Sequence, residues 1–236
     1  MKDTKSYLSK IVQDMPDSGI KDFFDVANTM EGALSLGVGE PDFPTPEHVR
    51  EAAIASIKKG DTKYTDNRGT VELRAAAADY LTKFDLHYDK QDEILITMGA
   101  SEGIDLALRT LVNPGEEALV AEPSYVSYIP CIELCGGVPV SLKLRAENKF
   151  RLTREQLEEK ITEKSKVLLI SYPNNPTGAI MEKEDLEAIA EVVKEHDLFV
   201  ITDEIYAELT YGKKHVSIAS LPGMYERCVV LNGFSK

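Results

Sequence analysis

From about residue 46 onward the chain alternates between two hydrophobic periods. Pro46 opens a stretch whose apolar positions Val49, Ala52, Ala53 and Ile57 recur at helical spacing, with Gly60 placed as a C-terminal stop. Leu73, Ala76, Ala77, Tyr80, Leu81 and Phe84 repeat the same period. Short apolar runs follow: Ile94-Leu95-Ile96, Ala118-Leu119-Val120, Val167-Leu168-Leu169-Ile170, Leu198-Phe199-Val200-Ile201 and Val229-Val230-Leu231. They are nearly continuous rather than alternating, which predicts strands covered on both faces. Helical patterns separate several of them; Leu186, Ile189, Ala190 and Val193 precede the Leu198 run. This βαβ rhythm predicts an α/β fold with a doubly wound, mostly parallel sheet. Residues 1–45 stand outside the rhythm. With Pro16, Gly19, Gly32 and the segment Leu34 to Pro41 they read as an arm plus a short strand that feeds a loop.

Composition narrows the function classes. Hydrophobic residues make up 43% of the 236 and charged residues 28%, enough for a sizeable core. The net charge of −13 argues against a nucleic-acid partner, which needs a basic footprint. No run approaches a membrane span, and Met1 to Lys10 is polar without the apolar centre of a secretory signal, so the expected location is cytoplasmic. Three cysteines, an odd number, do not make a disulfide framework. Cys131 and Cys135 lie four apart on a predicted helix, but no His or further Cys completes a zinc set, and no metal is expected.

In an open parallel sheet ligands bind at the carboxyl ends of the strands, so the residues after each apolar run carry the candidate chemistry. Met98-Gly99-Ala100-Ser101 follows the first run and leads into a helix, a turn that either binds an anion or only allows tight strand–helix packing. Tyr125, in Glu122-Pro123-Ser124-Tyr125, could stack on a flat ring or fill the rim. Tyr172 to Gly178 is a stiff loop with two prolines, a glycine and the amides of Asn174 and Asn175. Asp203 ends one of the most apolar strands; a carboxylate there must be paired, unless it caps a helix. Tyr206 follows three residues later. Finally, Asn232-Gly233-Phe234-Ser235-Lys236 follows the last run. A lysine after a buried strand and small polar residues is placed to lose its proton and attack a carbonyl, forming a Schiff base; by itself it could equally be a solvated end.

Taken together these positions resemble the class I family of fold-type-I aminotransferases that use pyridoxal 5'-phosphate (PLP). Gly37-Val38-Gly39-Glu40-Pro41-Asp42-Phe43, Tyr172 to Gly178, Asp203-Glu204-Ile205-Tyr206 and Ser235-Lys236 fall in the family's order and spacing, and the resemblance covers nearly the whole chain. It implies that Lys236 holds the cofactor as a Schiff base and moves the proton at the substrate α-carbon. It implies that Asp203 keeps the pyridine nitrogen protonated, which makes the ring an electron sink. Asn175 and Tyr206 match the groups that hydrogen-bond the ring hydroxyl, and Tyr125 matches the stacking aromatic. Gly99, Ala100 and Ser101 match the phosphate turn, with Ser235 as an added phosphate contact, and Gly39 matches the backbone that meets the substrate carboxylate. The implied division is an arm and strand over 1–45, serving a small domain and the substrate loop, and a PLP-binding large domain over 46–236. The family's pattern runs on past the lysine to two arginines and most of the small domain, so the resemblance implies a large domain incomplete at its C-terminus. Many relatives carry a phosphate-binding serine where this chain has Gly233.

The activity implied is transfer of an amino group between an α-amino acid and a 2-oxo acid, with aspartate, aromatic and diaminopimelate-type substrates all open. The same half-site serves carbon–sulfur β-lyases and cyclopropane-carboxylate synthases. A dinucleotide site at Gly37-x-Gly39 lacks its third glycine, because position 42 is Asp42, and Pro41, Pro44 and Pro46 prevent the helix it needs. A non-catalytic effector-binding module would want a DNA-binding helix pair that residues 1–45 do not offer. The resemblance also implies a homodimer with shared sites, Tyr64 reaching the partner's PLP phosphate, although its local sequence reads as an exposed loop. It implies a cis bond at Glu122–Pro123 or Asn175–Pro176, both in loops that must turn sharply at the ring.

Overall fold

The structure is a computed structural model that describes residues 4–16, 29–30, 32 and 39–236. The strand expected within Leu34 to Val38, and Gly37 and Val38 of the first motif, lie outside the described residues. The helices are α1 (Lys10–Asp14), α2 (Glu47–Lys59), α3 (Val71–Leu81), α4 (Gly99–Leu111), α5 (Tyr128–Leu134), α6 (Arg154–Glu158) and α7 (Lys183–Glu195). The strands are β1 (Glu117–Glu122), β2 (Val138–Lys143), β3 (Ser165–Ser171), β4 (Phe199–Asp203) and β5 (Cys228–Leu231). All pairings among the described residues are parallel, in the order β2-β1-β3-β4-β5.

Helices cover both faces, as continuous apolar strands require. On one face Ile104 and Leu108 of α4 and Tyr128 and Ile132 of α5 pack on Val120, Leu169 and Ile201. On the other, Leu157 of α6 and Ile189 and Val193 of α7 pack on Leu119, Leu168 and Val200. α4 lies so close to β5 that a Cβ on Gly103 would stand 2.8 Å from the Leu231 Cδ2 atom. No helix among the described residues is long and apolar enough to cross a membrane.

The pattern misplaced two strands. Ile94–Ile96 is not in the sheet: the Ile96 N–H donates to the Arg68 carbonyl at 3.0 Å, and an open groove of about 510 Å³ lies between this segment and β5. Leu95 is accordingly exposed. The expected strand has the right composition and no strand beside it. Conversely, Val138–Lys143 is a strand that the apolar runs did not reveal. Pro139 interrupts its pattern, and its place is the one such a strand can take, the edge of the sheet. Two helices formed as predicted, but α2 buries none of its residues among the described chain; Val49, Ile54 and Ile57 are exposed. In α3 the fully buried side chain is Arg74, which donates to the carbonyls of Gly69, Lys90 and Gln91.

Candidate active site

Every strand of a parallel sheet delivers its last residue to the same edge, and here β1, β3 and β4 end at one cleft of about 580 Å³. Gly39, Gly99, Ala100, Ser101, Tyr125, Asn175, Asp203, Tyr206, Ser235 and Lys236 all line it. The cleft thus brings together every site residue expected from the sequence except Tyr64, which stands fully exposed outside it.

Asp203 lies at the floor, 4% exposed, opposite Ser171 in the β3–β4 register. It caps no helix, because a turn follows it. Its Oδ2 accepts the Tyr128 hydroxyl at 2.6 Å and its Oδ1 accepts the Ile205 N–H at 3.1 Å. Burial pushes the carboxyl above its ordinary range and the adjacent Glu204 charge adds to this, while the hydrogen bonds from Tyr128 and Ile205 oppose them. With two donors among the described residues, this buried carboxylate has lone pairs left for a cation in the cleft.

The walls follow from local sequence. α4 starts at Gly99, whose φ of +80° suits glycine, and aims the positive end of a 13-residue helix at the cleft beside Ala100 and Ser101. The two asparagines of the proline-rich loop divide the work. Asn174 is structural: its Nδ2 donates to the Pro123 carbonyl at 3.2 Å, and its Oδ1 accepts the Thr177 hydroxyl at 2.8 Å. Asn175 faces the cleft beside Tyr206. Burial and the Asp203 charge push the Tyr206 phenol up, and the Asn175 hydrogen bond pulls it down. The expectation of a cis bond at Glu122–Pro123 or Asn175–Pro176 is met at both, and Tyr172–Pro173, for which no cis bond is expected from the sequence, is cis as well. At the mouth the Lys236 Nζ donates to the Gly39 carbonyl and stands 5.7 Å from the Tyr206 ring centre.

Set side by side, a buried carboxylate, an aromatic wall, an amide, a phenol, a helix N-terminus and an amine form a donor set suited to a flat, phosphorylated pyridine. The family's sequence profile, described as aminotransferase class I and II, matches residues 31–236. The chain belongs to this aminotransferase family. It is 51% identical over 232 residues to the putative aminotransferase YugH of Bacillus subtilis, covering 98% of this chain and 60% of that protein. It is 45% identical over 231 residues to aromatic-amino-acid aminotransferase 2 of Thermococcus litoralis, covering 97% and 59%. Among solved structures, the aspartate aminotransferase of Thermus thermophilus with maleate superposes with a TM-score of 0.91 at 35% identity, over 97% of this chain and 60% of that one. The chain spans about 60% of the length of these relatives. Such aminotransferases work with PLP, and the donor set of this cleft fits that cofactor.

Two residues of the aminotransferase cleft escaped the sequence reading. Tyr128, 1% exposed, is the direct partner of Asp203 and meets Tyr125 edge-on with ring centres 5.8 Å apart. Its spacing marks it only as the apolar face of a short helix; nothing local links position 128 to position 203. The Ser171 hydroxyl is buried beside the Tyr128 phenol without a hydrogen bond of normal geometry. As the last residue of β3 it could have been found by the rule that strand ends line the site.

Proposed function

We propose that the protein is a PLP-dependent aminotransferase that moves an amino group between an α-amino acid and a 2-oxo acid. The observation that carries this reading is the convergence of Asp203, Tyr206, Asn175, Tyr125, the Gly99–Ser101 turn and Lys236 on one cleft. Bound PLP supplies an electron sink for the charge that develops at the substrate α-carbon. Asp203 holds a proton on the ring nitrogen, and Tyr128 and the Ile205 N–H orient Asp203 for this. Tyr125 stacks on the ring, while Asn175 and Tyr206 hydrogen-bond its hydroxyl. The backbone of Gly99, Ala100 and Ser101, with the dipole of α4, takes the phosphate, and Ser235 adds a contact. Gly39 meets the substrate carboxylate through its backbone. Lys236 would hold the cofactor covalently through its Nζ, and the same amine would move the proton at the substrate α-carbon.

The working unit in this reading is a homodimer in a reducing, cytoplasmic setting, with residues 46–236 as the large domain and 1–45 as arm and substrate loop. Support for the dimer comes from the exposed apolar residues of α2; in this reading Tyr64, exposed just beyond that helix, would reach the partner's phosphate. The three free cysteines agree with the setting. An amino-donor screen of the full-length protein with PLP tests the activity. Donor-dependent appearance of the amino group on a 2-oxo acid is expected; release of a thiol from a sulfur-containing donor, with no transfer, would instead mean a β-lyase.

A further inference from the structure

Directly behind Asp203 lies a second buried carboxylate that the proposed chemistry leaves unused. Glu204 is 1% exposed and sits on the opposite side of the chain from the cleft. Its Oε1 accepts the Ser217 hydroxyl at 2.7 Å and the Thr202 hydroxyl at 3.1 Å, and its Oε2 meets the His215 Nε2 at 2.8 Å. All three partners are buried, and the His215 ring meets Phe84 edge-on at 5.3 Å. The backbone is fixed as well: the Glu204 N–H donates to the Leu231 carbonyl at 2.8 Å, and the Ala207 N–H donates to the Glu204 carbonyl at 3.0 Å.

We infer that Glu204 is a positioning residue: clamped by Thr202, His215 and Ser217, it fixes the turn Glu204 to Ala207 so that Tyr206 faces the cleft. The inference rests on the proposed role of Tyr206. Tyr206 sits in the middle of that turn, and the chain then leaves the sheet until it returns at His215 and Ser217. Glu204 grips the returning chain at both residues and so closes the excursion. Packing alone does not explain a carboxylate here, since apolar residues of similar volume are often neutral or stabilising replacements for buried charged groups. What three directed partners add is orientation. Tyr206 must hold its hydroxyl to within about 0.5 Å of its hydrogen-bonding position, and its own backbone has no helix or strand to hold it.

A double-mutant cycle in the full-length protein separates positioning from mere stability. Glu204→Gln and Ser217→Ala are each made alone and with Tyr206→Phe; Ser217→Ala removes a single hydroxyl and serves if Glu204→Gln does not fold. Expected for each single variant is a three- to tenfold fall in kcat with the amino-donor KM within about twofold, and a similar weakening of PLP in titrations of the apo protein. In the Tyr206→Phe background the same changes should cost less than about twofold. A lower Tm with kcat and PLP affinity unchanged would overturn the inference, and so would losses undiminished by Tyr206→Phe. A wild-type protein that binds no PLP would overturn the function proposed above together with this inference, whereas the clamp's own failure is seen with PLP bound.

Discussion

Asp203 and Glu204 are adjacent in sequence, equally buried, and opposite in provision. Glu204 faces the α6–α7 side of the sheet, where two hydroxyls and an imidazole use both of its oxygens. Asp203 faces the α4–α5 side with one phenol and one backbone N–H, and burial pushes its carboxyl up. A carboxylate satisfied by its own fold does structural work. One with fewer partners at the floor of a cleft keeps lone pairs open to a cation from outside the fold, the role proposed for Asp203.

The largest effect expected from this contrast is at Asp203. In the full-length holoenzyme Asp203→Ala leaves a buried cation unpaired, at about 3–5 kcal/mol. Part of that, lost in the transition state, lowers kcat by roughly two to three decades. Near-normal turnover in a folded variant with PLP bound would place Asp203 outside the chemistry.

A smaller effect is expected outside the chain's own cleft. Tyr64→Ala should weaken PLP binding by roughly ten- to hundred-fold, the range for a hydrogen bond to a charged group. At PLP concentrations too low to load the Tyr64→Ala parent, mixed dimers of a Tyr64→Ala chain with a Lys236→Ala chain should regain activity that neither parent shows, because both faults then fall in one site. Confirmed mixed dimers without recovery would confine Tyr64 to its own chain.

The smallest effect sharpens the contrast most. A raised carboxyl destabilises the folded state once the unfolded chain ionises: stability is complete below the ordinary carboxylate range and falls as pH rises toward the folded pKa. Asp203→Asn should therefore stabilise the apo protein at neutral pH, with no gain at acid pH, while weakening PLP. Glu204→Gln should lower the stability of the apo protein, since it gives up a carboxylate with three hydrogen-bond partners. Calorimetry of both apo variants across pH checks the pair.

The layered α/β architecture was legible because both faces of the sheet are covered and its central strands are apolar throughout. Ile94–Ile96 misled because composition states burial and not whether a neighbouring strand exists. Val138–Lys143 was missed because an edge strand tolerates a proline and half-exposed positions. The cleft was legible residue by residue wherever a strand end carries a polar group, as at Asp203. Tyr128 and the His215–Ser217 clamp were not, because hydrogen bonds spanning 75 and 13 residues leave no periodic trace.

The central claim, that this cleft holds PLP through Lys236, is tested most directly by borohydride reduction of the full-length holoprotein followed by peptide mapping. The cofactor should be fixed to the one peptide that contains Lys236, and Lys236→Ala should take up no label. Label on any other lysine would contradict the assignment of the anchor, and with it the roles read from the cleft around it.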